Sequence, residues 1–170
     1  AKTSNKEKEK SKKTKNDWVR MKDLSREEQV KIVSKWHSLC DPTAPLEERR
    51  FQVLVAARLH ARCQEAQTRK AMRALRENFD GSLTIAAMAN AEPESFIPAI
   101  TNLQYYSTKA KQLVKAAQQI RTQFDGKVPE AEHSLKQLTG IGDVFADLLA
   151  FVNTKAKWQE VSEQEQGQDV

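Results

Sequence analysis

The sequence predicts an all-α protein, and three observations carry that expectation. Glycine and proline are scarce, five each in 170 residues, so a helix meets few breakers. Through the middle of the chain apolar residues recur at helical spacing, while β-branched runs of the kind that make strands are missing. Helix start and stop signals separate those periodic segments.

The elements follow in order. Ser25-Arg26-Glu27-Glu28 is a capping box, in which the Ser25 hydroxyl and the Glu28 carboxylate satisfy the first free N–H groups. Its helix runs through Val30, Ile32, Val33, Trp36 and Leu39 and stops before Asp41-Pro42. Pro45 opens the next helix, from Leu46 to about Arg62. Its dense apolar content (Phe51, Val53, Leu54, Val55, Ala56, Leu59) predicts a central, buried position. After the His60–Glu65 junction a helix turns Ala71, Met72, Leu75 and Phe79 inward, until Asp80-Gly81 stops it. Ser82 is expected to cap a short helix with Ile85 and Met88. Pro93 starts another, and Pro98 shortens or kinks it. Ser107 leads a long helix through Ala110, Leu113, Val114, Ala117 and Ile120 to about Asp125-Gly126. A hairpin closes the periodic part, with helices expected at about 131–138 and 142–153.

Charge divides the chain. The formal net charge is +5 and the pI about 9.2, which mildly favours a polyanionic partner. Residues 1–17 hold seven lysines against Glu7, Glu9 and Asp17, a balance of +4. Residues 158–170 carry Glu160, Glu163, Glu165 and Asp169 with no base, a balance of −4. A lysine-rich arm without apolar residues reads as disordered alone; it either contacts nucleic acid, Lys12 and Lys13 included, or only solubilises. Four units follow: a basic arm at 1–24, a helix and linker at 25–45, a helical domain at 46–153 and a Gln/Glu-rich tail at 154–170. No apolar stretch reaches the length of a membrane span, so no membrane partner is expected. Two cysteines, Cys40 and Cys63, predict a reducing compartment without a disulfide framework. The chain begins with alanine, which reads as removal of a targeting segment or a trimmed chain.

The chemistry-bearing motif is Leu138-Thr139-Gly140-Ile141-Gly142-Asp143-Val144-Phe145-Ala146, a helix-hairpin-helix turn. Its glycines, lacking Cβ atoms, allow a sharp turn and close approach to a phosphate. The N–H groups opening the next helix then point at that phosphate, aided by the helix dipole. Three further stretches keep the same order: Arg50-Phe51-Gln52-Val53-Leu54-Val55, Tyr105-Tyr106-Ser107-Thr108-Lys109-Ala110 and Gly126-Lys127-Val128-Pro129-Glu130. On these residues, from Glu47 to Asn153, the chain resembles the endonuclease III family of base-excision DNA glycosylases. The resemblance implies a six-helix glycosylase-like lobe ending in the hairpin, with DNA held between that lobe and a second, iron–sulfur lobe. Nearly all of the second lobe is expected to be missing, since the matched part is followed only by the Gln/Glu-rich stretch.

The departures fall on the chemistry. The resemblance puts a catalytic lysine, the amine that attacks the sugar, where Val144 stands. Monofunctional relatives still need an aspartate whose place falls on Ser162, beside Glu163, and Ser162 cannot stabilise a developing cation as a carboxylate does. An iron–sulfur cluster needs four thiolates and the chain has two, so no cofactor is expected. The glutamine that fills the gap left by an extruded base is matched by Arg62. Asp143 stands beside the anion-binding N–H groups, where it is expected to cap the helix itself and repel phosphate.

Other constellations keep two readings. His37/Cys40 and His60/Cys63 share H-x-x-C spacing; a joint zinc site is one reading, chance the favoured one, and no metal is expected. Arg69, Lys70, Arg73 and Arg76, with Arg49, Arg50 and Arg58 nearby, form a basic face that is solvated or contacts phosphate, and Lys109, Lys111, Lys115 and Arg121 read alike. Tyr105 and Tyr106 read as packing before base stacking. Trp36 reads as core, whereas Trp18 and Trp158 in the flanks read as anchors on partner proteins. Candidate nucleic-acid contacts are therefore Gly140, Ile141, Gly142, Arg62, Arg69, Lys70, Arg73, Lys109, Lys12 and Lys13, with no catalytic residue. The favoured function is a pseudoenzyme: a structural, RNA-binding subunit of a large ribonucleoprotein such as the mitochondrial ribosome. It would bind rRNA before DNA and neighbouring proteins through its tails, in the mitochondrion or otherwise the nucleus. A DNA-repair glycosylase or lyase, and a protein–protein adaptor, are the alternatives.

Overall fold

A computed structural model describes residues 18–168; Lys12, Lys13 and the rest of the arm up to residue 17 lie outside the described residues. All regular structure among the described residues is helical. The helices are α1 (Arg26–His37), α2 (Leu46–His60), α3 (Glu65–Asn78), α4 (Ile85–Ala89), α5 (Tyr106–Gln123), α6 (Glu132–Leu135), α7 (Asp143–Val152) and α8 (Lys155–Gln168). Two 3-10 turns, Pro93–Ser95 and Ile97–Ile100, stand where the prolines predicted an interrupted helix.

Helix α2 is the axis of the core. Every residue from Phe51 to Ala57 is buried, as its unbroken apolar run requires. Around it pack Leu75 of α3, Met88 of α4, Leu113 of α5 and Leu149 of α7, each at most 1% exposed. Ser25 caps α1 by accepting from the Glu28 N–H at 3.2 Å. The cap of α4 is Thr84, which accepts from Ala87, and not Ser82: the Thr84 N–H bonds back to the Ser82 carbonyl in a tight turn, so the helix opens one hydroxyl later. No helix among the described residues is long and apolar enough to cross a membrane.

Arg50, read as part of an exposed basic face, is instead buried at 1% exposure. Its Nε donates to the Asn153 carbonyl at 2.9 Å and its Nη2 to the Val128 carbonyl at 2.8 Å. Its charge is met by Glu47 at 3.0 Å and Glu130 at 3.6 Å. Asn153 answers by donating from Nδ2 to the Arg50 carbonyl at 2.9 Å and accepting from the Trp158 indole at 3.1 Å. One guanidinium thus joins α2 to the segment before the hairpin and to the chain leaving it.

That network corrects the reading of the C-terminal stretch. Residues 155–168 form α8, and Trp158 is 8% exposed, so it anchors this chain to itself and is not a free anchor for a partner. The His37 ring stacks on its face at 3.5 Å, and the Arg49 guanidinium lies 5.0 Å from its ring centre. Gln/Glu composition hid the helix, because Trp158 and Val161 are the large apolar side chains it turns to the core. Ahead of α1, Arg20 reaches Glu132 at 2.6 Å and Asp147 at 3.2 Å, so the segment leading into α1 clamps α6 and α7 from outside.

Two predictions follow from the packing. Arg50→Leu strands two carbonyls and the Glu47 and Glu130 carboxylates; a loss of about 3–5 kcal/mol is expected in urea unfolding. His37 and His60 both hold their imidazole pKa below the usual 6.5, chiefly because burial disfavours the charged ring. Below 6.5 the unfolded chain therefore takes up protons that the folded chain resists. Stability is full above that pH and falls as the pH drops toward the depressed folded values. Urea midpoints between about pH 7.5 and about pH 5 should fall, and less so in a His37→Phe, His60→Gln double variant.

Candidate nucleic-acid interface

The hairpin is built around Gly140. Its φ of +87° is left-handed, and a Cβ there would lie 2.5 Å from the Arg58 Nε. Both facts demand glycine, the first from backbone sterics and the second from the guanidinium beneath the turn. Arg58 is held in place because its Nε donates to the Gln112 Oε1 at 2.6 Å, with Nη2 on the same oxygen. Burial pushes the Arg58 pKa down. Ile141 is buried at 5%, so it serves as the apolar pin of the turn and offers only its backbone to a ligand. The Thr139 N–H donates to Gln119 at 2.8 Å. Gly142 is the extended N-cap of α7, and the first-turn N–H groups of that helix have no side-chain cap.

Asp143 does not cap α7, contrary to the sequence reading. Its carboxylate swings to Lys136 on the other arm of the hairpin, at 3.0 Å, with both side chains about half exposed. The amides stay free, but the nearest cation of the hairpin is already neutralised. Val144 stands in the first turn of α7 at 48% exposure. An isopropyl group there offers neither nucleophile nor proton.

The junction of α2 and α3 supplies the second part. Arg62 has a left-handed φ of +60°, and across from it Tyr105, which precedes α5, has +57°. Such angles are costly for residues with a Cβ and persist only where surroundings over-determine them. Here the surroundings are Lys109. Its ammonium donates to the carbonyls of Leu59 at 2.9 Å and Ala61 at 2.7 Å and contacts the Cys63 sulfur at 3.3 Å. Lys109 is 1% exposed and its pKa is lowered by burial, so it closes the end of α2 and is withdrawn as a phosphate contact. The Arg62 guanidinium lies 5.9 Å from the Tyr105 ring. Tyr105 and Tyr106 are 57% and 39% exposed, so they are surface groups and not the packing residues expected.

Arg58 near the end of α2 is tied to Gln112, and the Leu59 and Ala61 carbonyls that close α2 are tied to Lys109, one turn before Gln112 on α5. The two ties therefore hold the hairpin, Arg62 and Tyr105 as one surface. Arg69 and the other α3 cations are not gathered into it: Arg69 pairs with Glu65 at 2.8 Å and donates to Ser38, while Lys70 and Arg73 are exposed along the helix. Arg73 borders a shallow hollow with Asp41, Arg76 and Glu77. His37/Cys40 and His60/Cys63 are not combined. The Cys40 thiol donates to the His37 carbonyl and burial pushes its pKa up to about 11, while His60 bonds Thr68 at 2.9 Å. Among the described residues no three His, Cys, Asp or Glu side chains meet as a metal site. Gln112 and Lys136 escaped the sequence reading, and Arg58 was read there only beside a basic face. Only the need of Gly140 for a positive φ hinted that something lies beneath it.

Known proteins are similar to this chain. A family model described as "HhH-GPD superfamily base excision DNA repair protein" matches residues 55–164. The Arabidopsis thaliana protein named Endonuclease III homolog 2, chloroplastic, is 32% identical over 116 residues, spanning 66% of this chain and 30% of that one. Endonuclease III of Thermotoga maritima is 28% identical over 126 residues, spanning 74% of this chain and 54% of its own. The chain thus spans about half, or less, of the length of these relatives. Among solved structures, a trapped endonuclease III–DNA covalent intermediate matches with a TM-score of 0.57 at 20% identity, covering 76% of this chain and 61% of that one. That likeness is one of fold.

Gly140→Ala should cost about 1–3 kcal/mol, since it combines left-handed strain with displacement of Arg58. Urea unfolding measures it, and Gly142→Ala, whose Cβ meets nothing within 4 Å, should cost less.

Proposed function

We propose that this chain, which belongs to the HhH-GPD superfamily of base excision DNA repair proteins, is a non-catalytic member that binds nucleic acid as a structural subunit of a large ribonucleoprotein. The mitochondrial ribosome is the favoured host. The observation that carries the proposal is Val144, half exposed at the mouth of the hairpin where the family resemblance calls for a lysine. The aspartate's place is taken by Ser162 on α8. Glu163 beside it also lies on α8, where its carboxylate accepts from Gln159 one turn away.

What remains suits binding. Free amides at the start of α7, the exposed Arg62–Tyr105 pair and the lysine-rich arm can hold phosphate and an unpaired base with no chemistry required. Neutralisation of Lys136 by Asp143 weakens the hairpin's own grip and leaves more of the contact to Arg62 and the arm. An organelle is supported by two Arabidopsis relatives, both named chloroplastic. DNA repair is the second reading, favoured by the relatives' names; it requires a nucleophile from elsewhere.

The native full chain, sedimented from its own cells at low salt, should run with particles that contain ribosomal RNA and leave them as salt rises. Light fractions at every salt would remove the ribonucleoprotein half of the proposal. Asp143→Asn frees Lys136 and should tighten RNA binding about three- to tenfold in a filter assay. An unchanged affinity would show that the hairpin faces something else, as in a protein adaptor.

A further inference from the structure

Several helices of this chain meet a surface cation with an acid one turn away. Lys31 faces Glu27 at 3.6 Å on α1, Arg69 faces Glu65 at 2.8 Å on α3, and Lys157 faces Glu160 at 3.1 Å on α8. Helix α5 has no such acid to offer. Its residues, Tyr106–Gln123, include Lys109, Lys111, Lys115 and Arg121 but neither Asp nor Glu. Lys109 is buried, and Arg121 turns toward α4, where its Nη1 donates to the Asn90 side chain at 2.9 Å. Lys111 and Lys115 remain, both exposed and without an ion pair among the described residues. At i, i+4 they stand side by side and repel one another. An anion from outside the chain relieves that repulsion.

Position identifies the anion. Gln112, which holds Arg58 beneath Gly140, and Gln119, which accepts from the Thr139 N–H, both face the hairpin. Lys115 comes three residues after the first and four before the second, so it belongs to the same stripe of the helix. Thr108 carries that stripe back toward Tyr105 and its neighbour Arg62. Along the helix axis, Lys111 and Lys115 stand about 9 Å and about 15 Å beyond Tyr105. A row of charge that starts at an exposed ring and passes the uncapped amides of α7 suits a chain of phosphates that also carries a base. A single carboxylate would leave most of it unmet. The ring, for its part, needs a base face that a duplex keeps inside its own stack.

We propose that α5 is a track for one unpaired strand of RNA. Lys111 and Lys115 hold neighbouring phosphates of the strand whose base meets Arg62 and Tyr105. This rests on the nucleic-acid reading above and deepens it in two ways. It names the cations that stand in for Lys136, whose charge Asp143 cancels, and it names the form of the ligand.

Fluorescence anisotropy on the purified full chain tests the track. The probes are a short labelled RNA without self-complementary stretches and the same strand annealed to its complement. The native chain should prefer the single strand by about tenfold. Lys111→Gln with Lys115→Gln should weaken that binding about tenfold and flatten its log–log salt slope by about 1.4, the value for two phosphate contacts on a single strand. Lys111→Arg with Lys115→Arg should keep the native affinity, which separates lost charge from a damaged helix. Lys31→Gln with Arg121→Gln, an equal loss of charge elsewhere, should change binding less than about twofold. If the native chain binds neither probe, the nucleic-acid reading falls and the track with it. If the native chain binds but the Lys111, Lys115 glutamine variant keeps its affinity and slope, or the Lys31, Arg121 variant loses as much, the track alone is refuted. Tighter binding of the duplex refutes the unpaired strand as its ligand.

Discussion

A guanidinium sealed inside an apolar core is expensive unless every donor and the charge are answered, and the fold is arranged to answer the one at Arg50. The carbonyls of Val128 and Asn153 stand at the two ends of the hairpin segment, and both point at that side chain. Were either end to drift, a charge at 1% exposure would lose partners it cannot replace with water. The central helix and the hairpin therefore keep one relative position. Asn153 carries the constraint on to Trp158 and so fixes where α8 starts. Lys109 repeats the device at the other end of α2, where it holds Arg62 and Tyr105 in angles they would not choose alone.

On this frame the hairpin is a rigid shape with altered electrostatics. Shape comes from Gly140 over Arg58 and from Ile141 as a buried pin. The electrostatics come from Asp143 and Lys136, which cancel one another, and from Val144, which contributes nothing ionic. A scaffold that keeps its turn while muting its charge suits a contact that is positioned from several sides, as inside a large particle.

Much of this was legible in the sequence, for identifiable reasons. The burial of α2 followed from its unbroken apolar run, and the hairpin from a glycine, Gly140, whose left-handed φ few other residues tolerate. Capping at Ser25 followed from a local hydroxyl-to-amide bond. What stayed hidden depends on contacts distant along the chain. A lysine or arginine at helical spacing looks the same whether it faces water or closes the end of another helix, so Arg50 and Lys109 read as surface charges. The Asp143–Lys136 pair crosses the turn and leaves no periodic signature. Helix α8 was obscured because its composition is that of a solvated tail and Trp158 and Val161 are its large apolar contacts with the core.

The central claim is that this member keeps the fold and has relinquished the reaction. Its most direct test is reductive trapping with borohydride on an abasic DNA duplex, using the purified full chain. No covalent protein–DNA product and no strand cleavage are predicted, because position 144 has no amine to form the imine. A trapped adduct, or cleavage by the chain alone, would contradict the account at its root.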